Sequence, residues 1–492
     1  MIYRKNTVVR SLAGVLSVLL AMGSVLTSCG GHGETNRQSE STDKSQTSDQ
    51  TAESQYEYPE LDMNGETFTI LNAAQPYQFY SALDMSEISG DTLDDSIYER
   101  NRKLEDMFRF KLEVNEEYEM ENAAASLQTA VLAGDDLYDV AFIRDYYMAS
   151  ALTEGYVQNL DDIPELRLDE KWWDSDAIEN ARVGKKHKAR FAMSDISLVD
   201  FEGTVVTFFN EDMMSKLGLE APYQLVREGK WVFDELLRYM KAGADLNGDE
   251  SFDFNESGNS VYGMAGWQHA YNALITSAGV QYVTKNSDGD LMFGIDNEKF
   301  YNMAIKLSQA FAEDGVYIYA NKTGITHYET LFKQNRSFFM IAQLKAANKY
   351  RDMEANYGIV PIPKSDESQT NYRNLRTFTY VMSVPVTNTE PSKAGCIMDA
   401  MAYITYKDIM PYFYSGRVSQ KSLRNDDSIE MLEIIRDSRY LDLGTAYGSF
   451  TDVSNSIADV INQKSTDFVS LVAKIKPGIE EHLRKIMEAV NG

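Results

Sequence analysis

Between residues 66 and 143 strand and helix patterns alternate, and this stretch narrows the possible folds more than any other part of the chain. Glu66-Thr67-Phe68-Thr69-Ile70-Leu71 alternates as a half-buried strand does, then opens into a polar, aromatic loop over residues 72–80. Residues 96–108 place Ile97, Leu104, Met107 and Phe108 at helical spacing, and residues 110–114 return as a strand. Residues 119–133 read as a second helix, ended by Gly134. Asp139-Val140-Ala141-Phe142-Ile143 is then a short buried strand, which leaves Arg144-Asp145-Tyr146-Tyr147 in the loop at its carboxyl end. Strand, helix, strand, helix, strand is the order of an open α/β lobe, and such lobes bind ligands beyond the carboxyl ends of their strands. Loops 75–78 and 144–147 therefore face one crevice.

A second α/β series begins with the apolar run Val205-Val206-Thr207-Phe208-Phe209-Asn210, long enough to cross between lobes. The pattern then predicts helix 231–241, strand 261–266, helix 298–311, strand 338–341 and a strand that ends in proline punctuation over 357–364. Residues 378–384 form the next apolar strand, and helices fill 392–406, 428–437 and 454–487, the last interrupted at Pro477. No internal repeat is visible.

The amino terminus sets the compartment. Arg4, Lys5 and Arg10 precede an apolar run over 12–26 that is too short to span a bilayer, which is the layout of a signal peptide. Leu26-Thr27-Ser28-Cys29-Gly30 follows and resembles the lipobox of bacterial lipoproteins, which implies a signal peptide over 1–28 and diacylation of Cys29. Residues 29–57 hold hardly an aliphatic side chain, so they cannot offset their ordering entropy and read as a tether with a reach of roughly 30 Å. No later stretch is apolar enough to cross a membrane, so the expected membrane contact is the lipid anchor alone. With 75 acidic against 47 basic residues, the formal charge of −28 argues against nucleic acid and against an anionic membrane surface as ligands. Cys396 is the only other cysteine, so no intramolecular disulfide forms once Cys29 is acylated. About 435 residues remain beyond the tether, more than one core usually holds, so two lobes are expected.

Several ordered pieces resemble the family 1 extracellular solute-binding proteins, the capture lipoproteins of carbohydrate ABC importers. They are the lipobox, Trp172-Trp173-Asp174, residues 203–210 before a helix starting at Glu211, and Lys230-Trp231 with Asp234-Glu235-Leu236. Val261-Tyr262-Gly263, residues 358–364 and residues 424–432 complete the set. The resemblance implies an α/β, two-lobed periplasmic-binding-protein fold of type II, with crossover strands between lobes that close on ligand by hinge motion. Lobe 1 would comprise residues 58–203 and 385–445, and lobe 2 residues 204–384 and 446–492. A monomer that passes a carbohydrate to ABC permease subunits is the implied working form.

In the maltose-binding branch of this fold, the loop after the strand 139–143 carries sugar contacts, which the resemblance places on Ile143, Asp145, Tyr146 and Tyr147. Asp145 would accept sugar hydroxyls and a tyrosine would stack; the alternative is that Asp145 only caps the helix near Met148. The same branch places cleft positions on Trp267 and His269. Pyranose rings present an apolar face that packs on an indole, so Trp267 at a strand's carboxyl end is a stacking candidate, with a core tryptophan as the plainer alternative. Tyr77, Glu202, Gln343 and Tyr380 are further candidate contacts. Trp231 reads as packing on its helix, and Trp172 and Trp173 are left outside the site.

Residues 245–256 offer oxygen ligands at EF-hand spacing: Asp245, Asn247, Asp249, Ser251, Asp253 and Glu256, although Glu250 stands where such loops carry glycine. One structural Ca2+ is therefore expected here, against the alternative of an acidic solvated turn. Catalytic signatures are absent: none of the five histidines lies in H-E-x-x-H, and there is no G-x-S-x-G, P-loop or G-x-G-x-x-G. No other cofactor and no enzyme activity are expected, with a secreted glycosidase using paired carboxylates or a surface glycan-adhesion protein as the competing possibilities.

Overall fold

The computed structural model describes residues 56–74, 79–117, 119–319, 328–413, 426–448 and 450–492. The leader, Cys29, nearly all of the tether and Tyr77 fall outside these residues. In chain order the strands are β1 (Thr67–Ala73), β2 (Lys111–Glu117), β3 (Val140–Arg144), β4 (Val205–Asn210), β5 (Tyr262–Gly266), the hairpin β6 (Val283–Lys285) and β7 (Leu291–Phe293), and β8 (Tyr317–Tyr319). They continue as β9 (Ser337–Gln343), β10 (Tyr357–Val360), β11 (Asn374–Leu375), β12 (Tyr380–Ser383) and β13 (Arg439–Tyr440).

The first sheet has the order β12-β3-β1-β2, parallel except for β12, which runs antiparallel to β3. Central β1 buries Phe68, Ile70, Leu71 and Ala73, while edge strand β2 exposes Lys111, Glu113, Asn115 and Glu116, charge that discourages pairing with another chain. Helix Thr92–Phe108 starts where Asp91 accepts the amide of Leu93 at 3.0 Å, and helix Met120–Ala133 stops at Gly134, whose φ of 74° suits glycine. The second sheet has the order β10-β4-β9-β5-β8. Strands β4 and β9 are buried along their whole length, as expected of central strands covered on both faces.

Three segments cross between the sheets side by side. Thr204 at the start of β4 bridges to Arg376, Thr377 donates its amide and hydroxyl to the Gly203 carbonyl at 3.2 and 2.9 Å, and β11 pairs in parallel with β13. A Cβ on Gly203 would lie 2.6 Å from the Phe378 carbonyl oxygen, so the close approach of two crossovers requires glycine there. Ion pairs brace the same place: Asp200 meets Arg376 and Arg439, each at 3.1 Å, Arg376 also pairs with Asp174, and Arg436 and Arg439 reach Asp195 at 3.3 Å. Burial works to raise the Asp174 carboxyl, but Arg376 and Arg439 outweigh it and hold the group at about 2.

The lobe boundaries differ from the expected ones in two places. The strand near 378–384, expected in the second lobe, is β12 of the first sheet, because Tyr380 to Ser383 register against Arg144 to Ala141. A strand buried on both faces satisfies either sheet, so only the position of the crossover decides. Helix Asp426–Asp437, expected with the first lobe, packs on β10: Ser428 accepts the amide of Ile359 at 3.3 Å and meets the Tyr223 hydroxyl at 2.9 Å. The helical tail also breaks elsewhere than expected. It divides into Phe450–Asn462 and Phe468–Asn491, with Lys464 at φ 55° and Asp467 capping Ser470, and the second helix runs through Pro477.

Trp172 and Trp173 have a structural task. Both indoles donate to one oxygen of Asp399 at 2.9 Å, and the other oxygen accepts Tyr56 at 3.0 Å and Arg167 Nε at 2.9 Å. Asp399 is 1% exposed, so this buried carboxylate ties the start of the body to helix Pro391–Ile404. Trp231 is fully buried and donates to the Pro361 carbonyl at 2.9 Å, as a packing residue.

Candidate ligand cleft

Carboxyl ends of strands from both sheets converge beside the crossovers. From the first sheet come Phe79, after β1, and Arg144 with the 3-10 turn Asp145–Tyr147, after β3. From the second come Trp267, which precedes helix Gln268–Ser277 after β5, and Gln343 and Lys345 at the end of β9. Between them lie the crossover residues Glu202, Thr377 and Phe378.

A run of contacts joins the two sides. The Arg144 guanidinium lies 5.7 Å from the Tyr146 ring and 4.2 Å from the Phe378 ring. Phe378 meets Phe79 at 5.0 Å between centroids, and Lys345 places its ammonium 3.7 Å from the Phe79 ring. Lys345 acts electrostatically on His269, whose ring stands edge-on to Trp267 at 4.7 Å. The contacts therefore run from Tyr146 to Lys345, and Trp267 with His269 lies on the second-lobe side, within electrostatic reach of Lys345. A cavity of about 40 Å³ opens between Arg144, Asp145, Tyr146 and Thr377 on one side and Thr445 and Phe450 on the other.

Charges in this surface are perturbed by burial. Asp145 is 1% exposed: burial raises its carboxyl to about 6 against the lowering effects of Arg144, the Tyr146 amide and Thr445. One of its oxygens accepts the Tyr146 amide at 2.9 Å, and the other is buried and accepts no well-formed hydrogen bond among the described residues, although the Thr445 hydroxyl lies near the carboxyl. His269 is lowered to about 4, by burial first and then by Lys345, so its imidazole is neutral at pH 7. Burial, followed by Lys349, lowers Lys345 to about 8, while Glu329 and Glu202 act in the opposite direction. The Trp267 Nε1–H is buried and likewise has no acceptor among the described residues.

The expected site residues divide. Tyr146 stands on the first-lobe side, 47% exposed, and Trp267 with His269 edge-on to it stands on the second-lobe side. Tyr147 packs edge-on against Tyr146 at 5.3 Å and is partly buried against the core. Glu202 is buried and accepts the Tyr80 amide at 2.6 Å, and Gln343 donates to Thr377 at 2.8 Å; both hold the crossover from behind the cleft surface. Tyr380 is a correction: at 1% exposed it faces the core of the first lobe, because β12 buries both faces. In the loop 245–256, Asp249 accepts the Asn259 amide and both the amide and hydroxyl of Ser260, each at 2.7 Å, while Asp253 accepts Ser251 at 3.0 Å. No three acidic, histidine or cysteine side chains gather to hold a metal among the described residues.

Arg144, Phe79, Phe378 and Lys345 were not singled out from sequence. Arg144 and Phe79 border the loops that the strand order aims at the crevice, and Lys345 stands two residues past Gln343, so strand ends were the usable signal. Phe378 had none, since its crossover is defined only by the fold.

Two α/β lobes joined by adjacent crossovers, with aromatic and charged side chains meeting from both, define a two-lobed capture protein. The chain belongs to the family of bacterial extracellular solute-binding proteins, whose sequence model matches residues 111–406. Solved structures share the fold. A cyclo/maltodextrin-binding protein complexed with maltotetraose aligns with a TM-score of 0.54 at 14% identity, over 86% of this chain and 96% of that one. Apo RafE from Streptococcus pneumoniae gives 0.53 at 15%, over 89% and 99%. An ABC substrate-binding protein from Listeria monocytogenes in complex with cycloalternan gives 0.51 at 13%, over 87% and 98%. At these identities the likeness concerns the fold. No curated sequence matches the chain significantly. No helix among the described residues is long and apolar enough to cross a membrane.

Proposed function

We propose that this protein captures a saccharide in the cleft between its lobes and delivers it, chemically unchanged, to an ABC permease, while moored to the outer face of the cell membrane through acylated Cys29. The observation that supports this best is the run of aromatic and charged side chains from Tyr146 to Lys345, with Trp267 on the second-lobe side. It offers aromatic faces for pyranose rings, and the Trp267 Nε1–H and an Asp145 oxygen are buried polar atoms that sugar hydroxyls would satisfy. Relatives of the same fold were solved with maltotetraose and with cycloalternan, oligosaccharides that such a surface suits. Closure would bring both lobes onto the ligand, so binding shifts the open and closed populations.

A thermal-shift and calorimetric screen against a glycan panel tests the reading. Ligand that binds only the folded form at a hundred times its Kd adds about 2.7 kcal/mol of stability, and a flat response across neutral, acidic and amino sugars refutes saccharide capture. Anchoring is tested separately: Cys29→Ala should release the protein from the membrane fraction, and retention there refutes acylation at Cys29. A structural calcium ion in the loop 245–256 is a further part of the proposal. It requires Asp249 to exchange its bonds from Asn259 and Ser260 for the ion, and an unchanged Tm between EDTA and millimolar calcium rules it out.

A further inference from the structure

We infer that the ligand-free lobes are held together by a latch outside the cleft, and that a saccharide must part this latch to reach Asp145; this rests on the capture reading above. The cavity at Asp145 measures about 40 Å³, whereas pockets that bury small ligands run from about 300 Å³ upward, so no sugar ring fits between the walls as they stand. Asp145 itself is 1% exposed, with the Thr445 hydroxyl close by. The wall facing it is Thr445, Gly448 and Phe450 of the second-lobe tail, so the tail must withdraw before Asp145 can accept a sugar hydroxyl.

Bonds between the lobes oppose that withdrawal. Tyr447, among those wall residues, is fully buried and donates its hydroxyl to the Ala181 carbonyl of the first lobe at 3.3 Å. The Tyr447 carbonyl meets His482 Nε2 at 2.9 Å, which fixes the turn to helix Phe468–Asn491. At the end of that helix Asn491 accepts the Lys185 amide at 2.9 Å, while its Nδ2 donates to Asp290 at 3.0 Å. Gly184 donates its amide to the Gly289 carbonyl at 2.8 Å, and the Lys285 ammonium donates to the carbonyls of Glu179 and Arg182 at 2.8 and 3.0 Å. Residues 179–188 belong to the first lobe, since Ala192 just beyond them bridges to Met382 of β12. Asn272 of helix Gln268–Ser277 ties the other side to the second lobe: it accepts the Tyr282 hydroxyl at 2.6 Å, at the base of the β6–β7 hairpin, and donates to Ser454 of the tail at 2.5 Å. The two turns meet closely, for a Cβ on Gly289 would lie 2.7 Å from the Gly184 carbonyl oxygen. None of the latch residues borders the Asp145 cavity, so the latch adds no sugar contact and competes with ligand entry. Apparent affinity is then the intrinsic affinity scaled by the unlatched fraction, and weakening the latch should tighten binding.

The test is hydrogen exchange and stopped-flow binding on the full-length protein, with maltotetraose, cellotetraose, xylotetraose, mannotetraose and tetragalacturonate as probes. Ligands that bind the native state generally slow exchange. Here the amides of Gly184 and Lys185 should instead exchange about tenfold faster in the complex, because their acceptors lie on the other lobe. Asn491→Ala and Lys285→Met should each bind the tightest probe about three- to tenfold more strongly, through faster association with dissociation unchanged. Arg484→Gln, whose partners Glu481 and Glu488 lie on its own helix, should leave both rates as they are. Binding with slower exchange at Gly184 and Lys185, or weaker binding by the two latch variants, overturns the latch and leaves saccharide capture standing. Failure of every probe to bind the parent overturns capture, and the latch with it.

Discussion

Replacing Asp399 with asparagine should destabilise the body more than any surface change of the same kind. The carboxylate is 1% exposed, one oxygen serves the indoles of Trp172 and Trp173 and the Arg167 amide, and the other serves Tyr56 and the Arg167 guanidinium. Asparagine can keep only one acceptor oxygen. The least costly orientation preserves the indole bonds and turns the amide NH2 toward Arg167 and Tyr56, which breaks the ion pair. Removing one partner of a buried pair costs about 3–5 kcal/mol, and Arg167, with its side chain 35% exposed, regains some hydration, so about 3 kcal/mol is expected. For a body of this size, with an unfolding entropy near 0.9 kcal/mol/K, that is a fall in Tm of about 3 °C. Urea unfolding followed by tryptophan fluorescence reports on the site directly, since two of the four tryptophans sit there. The midpoint should drop with m unchanged, whereas exposed Asp408→Asn should stay within about 0.5 kcal/mol. A loss below about 1 kcal/mol for Asp399→Asn would refute the view that this carboxylate organises the tryptophan pair.

The remaining predictions concern the cleft and the crossovers. Asp145 holds its proton to about pH 6, above the ordinary 3.8, so the folded state binds more protons between those values and stability should fall as pH rises from about 4 to 6. Asp145→Asn should flatten that part of the profile, and an unaltered slope in urea titrations would exclude the assignment. Trp267→Ala should weaken the best saccharide ligand roughly 10- to 100-fold through lost stacking and a lost donor, with little change in Tm; calorimetry showing unchanged affinity would remove Trp267 from the site. Gly203→Ala puts a methyl 2.6 Å from the Phe378 carbonyl, so the crossovers must part; a cost of about 1–3 kcal/mol is expected, and an unchanged urea midpoint would show that they yield freely.

How far local pattern reaches is visible in particular elements. The alternation from Thr67 to Arg144 was legible as an open α/β lobe because strand and helix periods are local properties, and β1, β2 and β3 fall where the pattern puts them. Strand ends, together with the family resemblance, pointed to the loops that carry Tyr146 and Trp267, and the structure places both after carboxyl ends of strands. Tyr380, a further candidate contact, lies in a strand that was recognised but assigned to the other sheet.

Sequence by itself determined the alternating elements, the apolar strands, the acidic surface charge and the loops that border a crevice, all of which depend on neighbours a few positions apart. Tertiary structure alone decided which sheet takes β12, that Asp399 gathers tryptophans 226 and 227 positions away, and that Lys345 of one lobe rests on Phe79 of the other. Those pairings join segments that no local period links, and their energies come from burying charge and aromatic surface together, which exists only once both lobes have folded.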